Sequence, residues 1–218
     1  MEVDTVIVGA GPQALTVAAR WLCDRPGSLR DIMVVDPSGT WLAAWRRGFA
    51  RQRIDVLRSP GVHHPEPDDM AFVNANRNRP AFDASCAATP RSGSVGPLQR
   101  PTTAAFWRFC QDLLARTGLR DQVVARSVVE LHRSAGAWDV ILDDGGVVRA
   151  RRVVWAGNPR VPRIPDGVEL GTAVVGLEGI DLDQVRPGQR IAVVGAGPTA
   201  GQLARRAPPR GAVVTVGA

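Results

Sequence analysis

The sequence predicts an α/β protein with a doubly wound parallel sheet, on three observations. An apolar run, the tetrapeptide Gly-Ala-Gly-Pro and a small-residue helix start occur at 5–15 (TVIVGAGPQAL) and recur at 191–201 (IAVVGAGPTAG). Each copy is followed by a helical stretch and a second apolar run, the strand–helix–strand order that parallel pairing needs. Between the copies lies a β-rich region with a tight-turn signal, Asp143-Asp144-Gly145-Gly146.

Taken in order, residues 3–8 read as a strand and about 12–22 as a helix, closed by Asp-Arg-Pro-Gly at 24–27. IMVVD at 32–36 reads as a second buried strand. From 37 to 101 the periodicity fades in a stretch rich in Pro, Gly, Arg and Asn. So long a connection in a compact domain is expected to be a functional excursion over a ligand. Residues 102–119 predict an amphipathic helix with Phe106, Phe109, Leu113 and Leu114 on one face and Gly118 at its C-terminal cap. A three-stranded meander (VVARSVVELHR, AWDVIL, VVRA) should follow, then a separate buried strand at 153–155. Prolines 159, 162 and 165 mark an extended linker. A strand at 191–194, a helix at about 199–206, a break at Pro208-Pro209 and a strand at 213–216 complete the reading. The expected organisation is a first domain at 1–158, a crossover at 159–166 and a partial second domain at 167–218.

Composition narrows the function. The chain has 44% hydrophobic and 22% charged residues, ordinary for a globular protein. No apolar run approaches the ~20 residues of a membrane span and no export signal precedes residue 3, so the expectation is a cytoplasmic protein with no membrane partner. Net charge is +6, yet all 27 basic residues are Arg, scattered singly or in pairs without interleaved aromatics; a nucleic-acid partner is not expected. The absence of Lys excludes Schiff-base chemistry. Cys23, Cys86 and Cys110 and the three His residues have no ligand spacing, so no metal is expected.

In a strand–turn–helix unit the first Gly permits the tight turn, the second lets backbone approach a pyrophosphate, and a third small residue lets helix pack on strand. These are Gly9, Gly11 and Ala14 in the first copy and Gly195, Gly197 and Ala200 in the second. A turn with no nucleotide is the competing reading, but Asp36 stands where an acid should accept ribose hydroxyls, at the end of the second strand. Two such units have a chemical logic, because a flavin that takes hydride from a nicotinamide needs a second cradle for its partner. Ala200 is common at NADP sites and favours NADPH over NADH; the sorting residue would lie beyond the strand at 213–216, so NAD(P)H stays open.

With these residues in view the sequence resembles the two-dinucleotide-domain flavoproteins, and within them the flavin-dependent monooxygenases of the lysine/ornithine N-hydroxylating and flavin-containing types. GAGPQAL is similar to their FAD pyrophosphate turn, with Gly9, Gly11, Pro12 and Ala14 in register, and DPSGTW at 36–41 is similar to their ribose acid and Gly-x-Trp. RRVVWAGNPRVPRIP at 151–165 resembles their crossover, with Trp155-Ala156-Gly157 in place of the usual Ala-Thr-Gly, and the second copy resembles their nicotinamide cradle. The resemblance implies two Rossmann-like domains: an FAD-binding three-layer domain with a β-meander, and the first part of an NAD(P)-binding one. It implies cofactor contacts at Gly39, Trp41, Val124, Gly157 and Thr199 besides those above, with Trp41 near the flavin. It further implies an NAD(P)H-dependent monooxygenase in which O2 forms a flavin C4a-hydroperoxide and a small metabolite is hydroxylated on nitrogen or another heteroatom. The alternative is a flavin-binding partner subunit or pseudoenzyme half, inactive alone, completed by a second polypeptide. Disulfide reductases share the plan, but 37–60 and 158–190 contain no Cys. Candidate catalytic side chains are His63, His64 and Asn74, with Asn76 beside it; for the histidines the reading as backbone-bonding loop residues is favoured.

Overall fold

A computed structural model describes residues 1–77, 98–157, 176, 179–195, 197–207 and 213–217. The linker expected at 159–166 lies outside them. The chain divides into two compact units: Met1–Arg46 with Asp55–Asn158, and Arg47–Ile54 with Pro159–Ala218.

The first unit is built on strand β1 (Glu2–Val8), helix α1 (Pro12–Asp24) and strand β2 (Ile32–Val35). β1 and β2 pair in parallel, Thr5 opposite Ile32 and Val8 opposite Val35. Ala14, Leu15, Ala18 and Ala19 of α1 are buried. Strand β3 (Val123–Val124) adds to β2, again in parallel. β4 (Val128–Ser134), β5 (Ala137–Leu142) and β6 (Val147–Trp155) form the antiparallel meander. The six strands lie in the order β3-β2-β1-β6-β5-β4.

β6 joins the two halves. The stretches expected as separate strands at 147–150 and 153–155 are one strand of nine residues. Its first half pairs with β5 (Val147 opposite Ile141), and from Arg149 onward it runs parallel to β1, ending with Trp155 opposite Val8. No turn residue separates the two stretches, so the ladder continues without a break. Val6, Val8, Val35, Val140, Leu142, Val148 and Ala150 form one continuous core across parallel and meander parts. The expected first meander strand is divided instead: Val123–Val124 goes to β2, and Val128–Ser134 to β5. Trp155, expected inside a buried strand, is 60% exposed.

The stretch at 37–101 is not devoid of regular structure. It holds α2 (Ala43–Arg51) and α3 (Ala71–Ala75), the latter burying Phe72 and Val73. Both are shorter than the about 11–18 residues over which a helical period is read. Helix α4 (Thr103–Thr117) has its N-cap at Thr102, whose side chain accepts the Ala105 N–H, and ends at Gly118 in the left-handed region (φ +72°). Trp45 meets Phe106 at 5.4 Å between ring centroids and Arg46 lies over Trp107 at 4.8 Å, a packing role for all four.

The second unit contains β7 (Arg190–Val194), α5 (Pro198–Arg206) and β8 (Val213–Gly217), with β7 and β8 parallel. Leu182, Leu203 and Ala207 form its core with Ile191, Val193 and Val214. No helix among the described residues is long and apolar enough to cross a membrane.

Candidate functional site

β1 ends against the turn Gly9–Ala10–Gly11. Gly9 has φ +99°, and a Cβ there would stand 3.1 Å from both C and O of Ala156, so only glycine permits this approach of β1 to β6. Its N–H donates to Val35 O (2.8 Å). Gly11 has the extended backbone of an N-cap, with Pro12 at the first helical position and no acidic residue in the first turn. No side chain caps this terminus. A Cβ on Gly11 would meet only the Gln13 Oε1, at 3.7 Å. The turn is thus closed behind Gly9 and open in front of Gly11, where unpaired helical N–H groups and the dipole favour an anion. Fully buried Ala14 lets α1 sit close behind.

Asp36 follows β2 beside this turn. One carboxylate oxygen accepts the Ala10 N–H (3.0 Å) and the other the Ser38 N–H (2.9 Å) and hydroxyl. Its own N–H donates to Val124 O (3.1 Å), so Val124 acts through backbone in fixing the end of β2. Ala10 is held at its other polar group too, its carbonyl accepting the Leu42 N–H (2.7 Å). Leu42 is fully buried with φ +63°, a conformation that a branched residue keeps only when its surroundings over-determine it. Gly39 (φ +64°) would place a Cβ 2.8 Å from Ala125 Cβ, so its role is close packing of the Asp36 loop on the end of β3. Trp41 is 4% exposed and its indole N–H donates to Leu119 O (2.7 Å). That side chain is committed to the protein interior, whereas the family likeness places it near a flavin.

On the other flank, Ala156 N–H donates to Val8 O (2.9 Å), bringing Gly157 against Gly9, 148 positions away in sequence. The structure therefore gathers Gly9, Gly11, Pro12, Ala14, Asp36 and Gly157 at the C-terminal ends of β1, β2 and β6, where parallel sheets bind ligands.

The catalytic candidates do not converge. His64 is 8% exposed; its Nδ1 accepts the Glu66 N–H (3.3 Å) and its Nε2 lies 3.2 Å from Asp69 O. Its ring packs on Phe72 and Phe109. Both nitrogens are engaged and the ring joins a cluster with Phe72 and Phe109, themselves 5.2 Å apart, which makes it a packing residue. His63 is exposed, and exposed Asn74 accepts from Arg77 Nη2 at 3.0 Å. Asn76 is buried and donates to Phe72 O (2.8 Å), closing α3.

The second turn repeats the first. Gly195 has φ +130°, and Gly197 is an extended N-cap with Pro198 at the helix start and no side-chain cap. Neither Gly195 nor Gly197 has an atom within 4 Å of a would-be Cβ. Thr199 is half-buried and Ala200 is buried at the same helical positions as Gln13 and Ala14. The positions to which sequence reading gave no role at the site are Ser38, Leu42 and Trp155. Ser38, two residues after an Asp, carries an Asx-turn signal; Leu42 carries none, because its constraint comes from a bond to Ala10.

A family model described as FAD-NAD(P)-binding matches residues 6–158. No curated protein matches the chain at a significant level. Among solved structures, cyclohexanone monooxygenase from Rhodococcus sp. Phi1 bound to NADP+ is similar at TM-score 0.62 and 18% identity, over 100% of this chain and 39% of that one. A flavin monooxygenase variant from Stenotrophomonas maltophilia gives TM-score 0.62 and 18% identity, over 100% of this chain and 58% of the other. Bacillithiol disulfide reductase from Bacillus cereus gives the same score and identity over 99% and 58%. These likenesses show the fold, and the chain spans between two fifths and three fifths of such proteins.

Proposed function

The chain belongs to the FAD-NAD(P)-binding family, and from that premise we propose that it forms the FAD cradle and part of the NAD(P)H cradle of an oxidoreductase. FAD's pyrophosphate would rest on the open N-terminus of α1 in front of Gly11, its adenosine ribose beside Asp36, with Gly9 and Gly157 admitting the close approach. The observation that carries this reading is the two-sided glycine turn: filled space behind Gly9, open space before Gly11, and a carboxylate on the neighbouring strand end. The second turn, Gly195 to Ala200, would hold the nicotinamide cofactor in the same manner. NADPH is favoured, supported by the NADP-bound cyclohexanone and steroid monooxygenase neighbours.

Bound FAD supplies two-electron redox and oxygen chemistry. The residues of this chain bind and orient. The N–H groups of the α1 terminus would balance pyrophosphate charge, and the Asp36 oxygen that holds Ala10 N–H would keep capacity for a ribose hydroxyl, the other being taken up by Ser38. The Leu42 N–H occupies the Ala10 carbonyl, which fixes that peptide of the turn. The chemistry that fits best is NAD(P)H-dependent monooxygenation of nitrogen or another heteroatom of a small metabolite. The monooxygenase neighbours support it, and the lack of cysteine at 37–60 and 158–190 argues against disulfide reduction.

FAD added to the purified chain and followed by desalting tests the binding reading. A retained, perturbed flavin spectrum is expected; a colourless protein overturns it. Amine-stimulated NAD(P)H oxidation tests the oxygenase reading, and flavin retained without turnover would favour a binding subunit instead.

A further inference from the structure

Trp155 is the only one of the six tryptophans that is exposed, at 60%; the other five are buried or half-buried. It ends β6, directly opposite Val8, the last residue before the first glycine turn. Its indole folds back over Gly157: a Cβ at Gly157 would find Trp155 Nε1 at 3.7 Å, Cε2 at 3.8 Å and Cζ2 at 3.9 Å. Gly157 N in turn lies 3.2 Å from the Cβ position of Gly9. Gly9, Gly157 and the indole thus adjoin in series at the C-terminal end of β6, beside the first glycine turn. The ring stands exposed at the C-terminal end of a parallel strand, the edge where such sheets bind ligands.

Strand order says which part of a ligand it would meet. Asp36 follows β2 and Trp155 ends β6, on opposite sides of β1 in the order β2-β1-β6. A dinucleotide held at its middle by the α1 terminus, with its adenosine ribose at Asp36, must extend its other half toward β6. We propose that Trp155 is a cofactor-contact residue that stacks on the flavin half of FAD. The proposal rests on the FAD reading above. An offset aromatic stack both holds and orients a planar ring, and Trp155 stands where the family likeness has a small residue, so the contact is specific to this chain.

Titration of the 218-residue chain with FAD tests it, read by tryptophan emission, the shape of the bound flavin spectrum and Kd for wild type, Trp155→Phe and Trp155→Ala. Loss of the ring should weaken binding about tenfold, equivalent to ~1.4 kcal/mol. The flavin spectrum should shift toward that of free FAD in Trp155→Ala and be restored in Trp155→Phe. FAD-dependent quenching of tryptophan emission should be smaller in both variants by the share that Trp155 contributes, the other five tryptophans remaining. Equal melting temperatures across the three proteins are expected, since the exposed ring contributes little to the core. FAD bound by Trp155→Ala with wild-type affinity and spectrum would overturn the contact while leaving the cradle intact. Wild type that retains no FAD would overturn cradle and contact together.

Discussion

At the scale of single residues, the two glycines that meet at the cradle differ in what they tolerate. Gly9 combines positive φ with backbone atoms 3.1 Å from its would-be Cβ, whereas Gly157 faces only ordinary contact with an indole that can turn. Gly9→Ala is therefore expected to lose about 2–3 kcal/mol in denaturant unfolding, and Gly157→Ala less than about 1. Gly39 offers a sharper test, because its obstacle is one named atom, Ala125 Cβ at 2.8 Å. Gly39→Ala should destabilise, and Ala125→Gly in the same chain should recover the steric part while the cost of φ +64° remains. A double-mutant cycle with no coupling between the two positions would refute that assignment.

At the scale of elements, α4 is defined at both ends by features visible in its sequence. Thr102→Ala removes the oxygen that accepts the Ala105 N–H and should cost about 1 kcal/mol in thermal or denaturant unfolding. Gly118→Ala forces an L side chain into φ +72°, with Leu29 Cδ2 at 3.3 Å, and should cost a similar amount. The pairing of β1 with β6 is reinforced by Asp4, which accepts from Arg151 (2.8 Å) and Arg152 (2.6 Å). Partial burial raises the Asp4 pKa, but the Thr5 hydroxyl and the two guanidinium groups outweigh it and hold the carboxyl below its ordinary value. A depressed folded-state value means that this stabilisation is present above the unfolded value of 3.8 and is lost as pH falls through the folded one. Unfolding free energy measured from pH 5 downward should thus fall less steeply in Asp4→Asn than in wild type, by about 1 kcal/mol or less for a pair this exposed.

For the molecule as a whole, each glycine turn belongs to its own unit. The first is backed by a six-stranded sheet and a core that crosses from parallel to antiparallel pairing. The second lies at the end of β7, whose hydrogen-bonded neighbour among the described strands is β8. Gly9→Ala should abolish FAD retention and loosen the first unit, because it disrupts the approach of β1 to β6. Hydrogen exchange resolved by segment checks this: faster exchange at residues of the first unit is expected.

The sequence alone determined the α/β class, both glycine turns, α1, α4 with its C-terminal cap at Gly118, the hairpin at Asp143–Gly146 and the acid after β2. All of these rest on interactions between residues close in sequence, where spacing and residue type state the geometry. Only the tertiary structure decided that 147–155 is one strand bridging parallel and antiparallel pairing. Only it buried His64 against Phe72 and Phe109 and took up the Trp41 N–H on Leu119. Ala10 is fixed at both polar groups by Asp36 and Leu42, and Trp155 stands exposed over Gly157 beside Gly9. Each of these depends on partners distant in the chain, and no local pattern specifies which strand lies beside which, or which ring is left in water.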